Sequence, residues 1–234
     1  MNGASISPVT ALVPMKAHSE RVPGKNTREL CGEPLFHWIL RALTRARHIT
    51  DIVVNTDSTE IAKAVQNRFD VQIHPRPEHL LGDAIVANQL IEHDLGQLTS
   101  CDYFLQTHST NPLLRSESID RALEAFFAQD VHDALFSVTP LQTRLYWADG
   151  SPANHDPDEL IQTQALPPIY EENSCLYIFS RAGFQKNSNR LGSNPMMFPL
   201  DRYEAIDIDE EFDFTFAEWL MSLRLRSGRP TKSS

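Results

Sequence analysis

Four cations, Lys16, Arg21, Lys25 and Arg28, fall in one short polar stretch that holds only two acids, Glu20 and Glu29. Ala17, Ser19, Pro23 and Gly24 separate them, so the stretch reads as a loop of small and turn-forming residues. A basic loop between the first strand and first helix of an α/β protein is where backbone amides, ammonium groups and a helix end converge on phosphates. The spacing is neither that of the G-x-x-x-x-G-K-[ST] P-loop nor that of G-x-G-x-x-G. Far along the chain, Asp207 and Asp209 alternate with Ile206 and Ile208. In an extended segment this puts both carboxylates on one side, where they repel unless a cation or donors lie between them. Hard oxygen ligands beside phosphates suit Mg²⁺. Each feature also has a plainer reading, as a solvated basic loop and as two solvated acids on an edge strand.

The elements that must position these residues alternate strand and helix. Residues 9–15 form an apolar run short enough for a buried strand. Leu35, Ile39, Ala42, Leu43 and Ala46 recur at helical spacing, with Pro34 suited to the first helical position. DIVVNT reads as a second strand. Asp57 and Glu60 then read as a capping box. Residues 71–74, DYFLQ, ALFSV and SCLYIFS follow as strands, and AIDID as a last short one. Asp83 and Ser116 are candidate caps for two of the intervening helices, and Asp213 for a final helix over 211–224. Periodicity is lost over 139–170, a long loop or inserted ribbon, and again over 181–199. That second stretch carries Phe184, Leu191, Met196, Met197 and Phe198, an amount of apolar surface that suggests a partner subunit.

The chain has 234 residues and a net charge of −10, enough for one α/β domain and unfavourable for nucleic acid or an anionic membrane as partner. No apolar run is long enough to span a bilayer, and residues 1–8 do not resemble a signal peptide. Cys31, Cys101 and Cys175 are odd in number and widely spaced, which suits reduced thiols in a cytoplasm. With neither repeats nor a clear linker, one domain over 1–226 is expected, with residues 227–234 as a disordered tail.

PMKAHSERVPGKN resembles the signature loop of the acylneuraminate cytidylyltransferase family, the CMP-sugar-acid synthetases, which reads roughly P-A-R-x-G-S-K-R-[IL]-P-x-K-N; Pro14, Ser19, Arg21, Pro23, Gly24, Lys25 and Asn26 match. Later segments resemble the family in the same order: VVNTDSTEIAKAV, RPEHLLGD, FLQTHSTNPLLR, YEENSCLYIFS and AIDIDEEFDFTFAE. The resemblance implies an α/β, Rossmann-like and GT-A-like nucleotidyltransferase fold of three layers, with a mainly parallel central sheet and a small dimerisation arm at about 181–200. It implies transfer of CMP from CTP to an acidic acceptor, a sugar acid or a phosphonate, with pyrophosphate leaving. Lys16, Arg21 and Lys25 then act on the triphosphate as the catalytic cations. Pro14, Met15, Ser19, Asn26, Arg76 and Asp83 join them around the nucleotide, with Arg76 near the base. Gln106, His108 and Asn173 meet the acceptor, and Asp207 and Asp209 hold Mg²⁺. A cytoplasmic homodimer is implied as well.

The departures bear on the acceptor. Lys16 stands where the family has Arg, and Glu20 where it has Lys. In TQALPPIYEEN, Thr163 occupies the position of an Arg that grips the sugar carboxylate, and Glu171 one where Arg is common. Arg115, Arg144 and Lys186 are candidate replacements. For Glu20 two accounts stand open: it points to solvent, or it helps to hold a metal near the phosphates. Two other functions remain: a sugar-1-phosphate nucleotidyltransferase, whose usual phosphate loop is richer in glycine, and a nucleotide-binding protein without catalysis.

Overall fold

A computed structural model describes residues 6–82, 84–159 and 161–227. The candidate nucleotide residue and cap Asp83 lies outside the described residues, as do 228–234 of the expected tail. Seven strands form one sheet in the order β5-β4-β1-β6-β8-β7-β9. They are β1 (Val9–Met15), β4 (Ile49–Thr56), β5 (Gln72–Pro75), β6 (Tyr103–Thr107), β7 (Ala134–Leu141), β8 (Ile169–Ser180) and β9 (Pro195–Pro199); β2 (Glu29–Leu30) and β3 (Glu33–Pro34) make a separate small hairpin. β8 runs against both of its neighbours, whereas every other pairing in the large sheet is parallel. This is the mainly parallel α/β architecture that the resemblance implied.

The apolar run of β1 is buried on both faces, as a central parallel strand must be. Val9, Ala11, Val13 and Met15 pack towards α1 (Leu35–Arg45), α2 (Thr59–Gln66) and α4 (Ser116–Phe127). Leu12 faces the other way, into a cluster with Ile91 and Leu95 of α3 (Ala87–Gln97) and Phe184 of α5 (Arg181–Asn187). Three layers result. The final helix, α6 (Glu211–Ser227), packs Phe214, Ala217 and Met221 on Val22, Leu30, Leu35 and Trp38, which fastens the end of the chain over the basic loop.

Several local expectations are corrected. Pro34 precedes α1 as its cap residue rather than opening it. Ser58, not Asp57, caps α2, its Oγ accepting from Ile61 N at 3.1 Å. Ser116 is the first residue of α4; the Glu204 carboxylate, reaching in from a distant turn, accepts from Arg115 N at 2.9 Å and does the cap's work. The expected strand AIDID is not one: Ala205 ends a turn and residues 206–209 pair with no strand, though Ile208 N donates to Thr110 O at 2.9 Å. Residues 181–199 are not irregular throughout, since they form α5 and the edge strand β9. Phe184 is buried, and Met196 and Phe198 lean on the main core, so Met197 is the exposed apolar side chain among those that suggested a partner. The ribbon over 139–170 is real: β7 and β8 pair out to Leu141 and Ile169 and are joined by a long connection.

Candidate active site

The carboxyl ends of β1, β4, β5 and β6 point the same way, and the loops leaving them meet. Ligands in open α/β sheets bind at this edge. A cavity of about 410 Å³ opens there, lined by Pro14, Lys16, Ser19, Lys25 and Asn26 after β1. Arg76 after β5, His108, Ser109 and Thr110 after β6, Ser174 of β8, and Asp207 with Asp209 complete it. A larger hollow of about 790 Å³ lies at the opposite ends of the strands, among Thr10, Thr50, Asp51 and Ser100, and gathers none of these groups.

The basic loop is shaped by its own sequence. Pro23 and Gly24 occupy the middle of a turn closed by Lys25 N to Val22 O at 3.2 Å, and Gly24 has φ +64°, a conformation that side chains disfavour. Asn26 donates to Lys16 O at 2.9 Å and accepts from Ser109 Oγ at 2.5 Å, so its amide braces the loop against the next one. Ser19 Oγ accepts from Val22 N at 3.3 Å. The Asp57 carboxylate accepts from Ala17 N at 2.6 Å, pinning the loop to the end of β4. Lys25 Nζ donates to Ile208 O at 2.6 Å and lies 3.9 Å from Asp209. Burial draws the Lys25 ammonium below its usual pKa, and Asp209 and Asp207 oppose that shift. Arg21 pairs with Asp209 at 2.9 Å from an exposed position at the rim. Arg28 reaches Glu211 at 2.7 Å and stacks on Phe214.

Asp207 is the strained member. Burial raises its carboxyl above the usual range, and Asp209 adds to the rise while Thr110 and Lys25 oppose it. Its Oδ1 is buried without a hydrogen-bond partner. Asp213, as expected, serves the start of α6, accepting from Asp209 N at 3.0 Å and Glu210 N at 2.8 Å. Arg76 donates through Nε to Asn55 Oδ1 at 2.7 Å; Asn55 in turn donates to Asp94 at 2.7 Å, and His74 lies 2.8 Å from the same oxygen.

Met15 is buried in the core and, unlike Pro14 and Lys16 on either side, does not line the cavity. Gln106 is buried behind the cavity wall, between His108 and Arg190. Asn173 turns into the sheet, its amide shared among Ser137, Thr139 and Cys175 N. Glu20 is exposed and, among the described residues, meets neither ion pair nor hydrogen bond, which agrees with the account that points it to solvent. Thr163 lies in a short turn of the long connection. Sequence reasoning missed the structural service of Asp57, Asn55 and Asp94, and it missed Arg190 altogether. A polar Asn55 at the end of the apolar run DIVVN was the one available signal.

His108 illustrates how the network assigns protons. An arginine can only donate, so the Gln106 atom facing Arg190 is its oxygen, and its Nε2 donates to His108 Nε2 at 3.0 Å. His108 is therefore neutral with its proton on Nδ1. Burial, then Arg190 and Lys25, lower its pKa to about 4. One edge of the ring still opens on the cavity, so water there moderates the effect.

A parallel-sheet edge with a basic loop, a facing pair of acids and a base-sized cavity defines a nucleotide-handling α/β protein. The cytidylyltransferase family model matches residues 10–223, and the chain belongs to that family. It is 30% identical over 227 residues to the CMP-N,N'-diacetyllegionaminic acid synthase of Legionella pneumophila, covering 92% of this chain and 97% of that one. It is 26% identical over 228 residues to the post-translational flagellin modification protein B of Campylobacter coli, covering 92% and 96%. Among solved structures, a CMP:2-keto-3-deoxy-manno-octonic acid synthetase complexed with CTP superposes with a TM-score of 0.72 at 14% identity, over 93% of this chain and 100% of that chain.

Proposed function

We propose that the protein transfers CMP from CTP to a sugar acid and releases pyrophosphate. The observation that carries this reading is the meeting of Lys16, Lys25 and Asn26 with Asp207 and Asp209 around one cavity, although they come from opposite ends of the sequence. An acceptor oxygen attacks the α-phosphorus in line, and the oxygen bridging to the β-phosphorus leaves with pyrophosphate. Lys16 and Lys25 hold the triphosphate and offset the charge that builds on it. Arg76, its side chain steered by Asn55, borders the base end of the cavity.

The donor set fits Mg²⁺. Asp207 has a buried oxygen without a partner, and Asp209 stands beside it, the one or two carboxylates that this ion takes along with phosphates and water. Bound there, Mg²⁺ supplies charge neutralisation and lowers the acceptor's pKa. With the ion bound, Asp209 would give up its contact with Arg21, and Arg21 would then be free for the phosphates. A cytoplasmic setting accords with three unpaired cysteines among the described residues. Assembly as a homodimer accords with the apolar surface that α6 leaves exposed at Phe212, Phe216 and Trp219.

Incubation with Mg²⁺ and each nucleoside triphosphate, over a panel of sugar acids and sugar phosphates, tests the reading through pyrophosphate release. Release with CTP and an acid is expected. Release only with another triphosphate and a sugar phosphate would overturn it, as would binding of nucleotide without any release.

A further inference from the structure

An acid acceptor needs a cation, and the family position for one holds Thr163. None of the candidate replacements is bonded into the layer behind the cavity wall. Arg115 is committed to Glu204 at 2.8 Å, Arg144 donates to Ile161 O at 2.5 Å in the long connection, and Lys186 faces Asp133. Arg190 differs from all three. It leaves the turn after α5, lays its guanidinium 3.5 Å from the centre of the Tyr177 ring, and donates to Gln106 Oε1. Burial is the main cause that draws its pKa below the usual value. No carboxylate of the described residues lies within ion-pair distance of it; the neighbouring acid, Glu172, accepts from the Tyr177 hydroxyl and acts on Arg190 only through space. A partly buried guanidinium whose direct partners are a neutral amide and a phenol ring has its counter-charge, Glu172, only at a distance, which leaves room for an anion in contact.

Its place matters as much as its charge. His108 and Ser174 form one wall of the cavity, and each is bonded to the layer around Arg190: His108 to Gln106 at 3.0 Å, Ser174 to the Tyr177 hydroxyl at 3.1 Å. Ser174 holds φ +57°, an uncommon conformation for a residue with a side chain, and it keeps the backbone turned at that wall. Arg190 is itself only partly buried, and through Gln106 it stands one bond behind His108 of the cavity wall. A planar carboxylate is the anion that a guanidinium fork takes with two parallel bonds.

Building on the function proposed above, we propose that Arg190 is the group that receives the carboxylate of the acceptor, in place of the cation missing at Thr163, with Gln106 and Tyr177 holding the fork in position. This makes Arg190 a determinant of specificity for 2-keto sugar acids over neutral sugars. The test uses N,N'-diacetyllegionaminic, N-acetylneuraminic and 3-deoxy-manno-octulosonic acids, each with its methyl ester, in the CTP-dependent pyrophosphate assay. Arg190→Met should raise the KM of the best acid about 10- to 100-fold while the KM for CTP stays within about twofold. The preference of the wild type for acid over ester should vanish in the variant. Arg190→Lys, which keeps the charge without the fork, should recover part of the loss, and it carries the test if Arg190→Met does not fold. An unchanged acceptor KM in the variant that folds, or an acid-over-ester preference equal to the wild type's, would overturn the assignment alone. A wild type that transfers CMP to none of the acids would overturn the function and the assignment together.

Discussion

Asp94 never meets the cavity, yet it decides where Arg76 points. Buried at 2% exposure, it takes the Asn55 amide, and Asn55 presents its oxygen to Arg76 Nε. Removing the carboxylate leaves His74 and Asn55 with unmet buried groups, so Asp94→Ala should cost about 3 to 5 kcal/mol in urea unfolding and weaken CTP binding as well. Asp209 is the opposite case. Its contact with Arg21 is half exposed on both sides, so Asp209→Asn should change stability by less than about 1 kcal/mol. Turnover should nonetheless fall about 100-fold or more, with CTP binding less affected; full activity in EDTA would remove the metal from the scheme. His108 predicts a pH limb. Because its folded pKa, about 4, lies below the unfolded value of about 6.5, the unfolded chain binds more protons between them. Stability from this group is complete above about 6.5 and is lost as pH falls towards 4. Thermal melts of His108→Gln across that range should show a flatter acid limb than the wild type.

At the level of elements, the basic loop is the most sharply specified piece. Gly24→Ala forces a Cβ into φ +64°, and a cost of about 1 to 2 kcal/mol is expected in thermal melts, with a larger loss in CTP affinity because Lys25 and Asn26 move with the turn. This loop, the alternation of strand and helix, and the pairing of Asp207 with Asp209 were all legible, since each rests on local pattern. What was not legible depended on distant partners. Asp57 looks like a helix cap in sequence, but Ser58 takes that duty and frees Asp57 to hold Ala17. Ser116 looks like a cap until Glu204 arrives from 88 residues away in the chain to bind Arg115 and Ser118. Residues 206–209 make no strand because they bond to the loop after β6 rather than to the sheet, and β9 shows no period because it lies at the sheet's edge against β7 alone. Arg190 was invisible for the same reason: nothing near it in sequence signals that Tyr177 and Gln106 will come beneath it.

For the molecule as a whole, the sheet keeps the two sides of the proposed site apart. The proposed nucleotide side is built from loops after β1, β5 and β6, on neighbouring parallel strands of one half of the sheet, while the proposed acceptor side draws on β8 and the turn beyond α5. The second group can change without disturbing the first. Light scattering at micromolar concentration should give the mass of a homodimer, twice 26.5 kDa, and a monomeric mass would contradict that part of the proposal. The contact between the basic loop and residues 207–214 has a further consequence, one of timing. A ribosome delivers Arg21, Lys25 and Arg28 near the start of synthesis and Asp209 and Glu211, which they meet, near its end. Until the last helix has been made, those three cations are without these acids. Any product cut short before residue 207 therefore keeps the basic loop but neither acid, and on the function proposed here it should transfer no CMP.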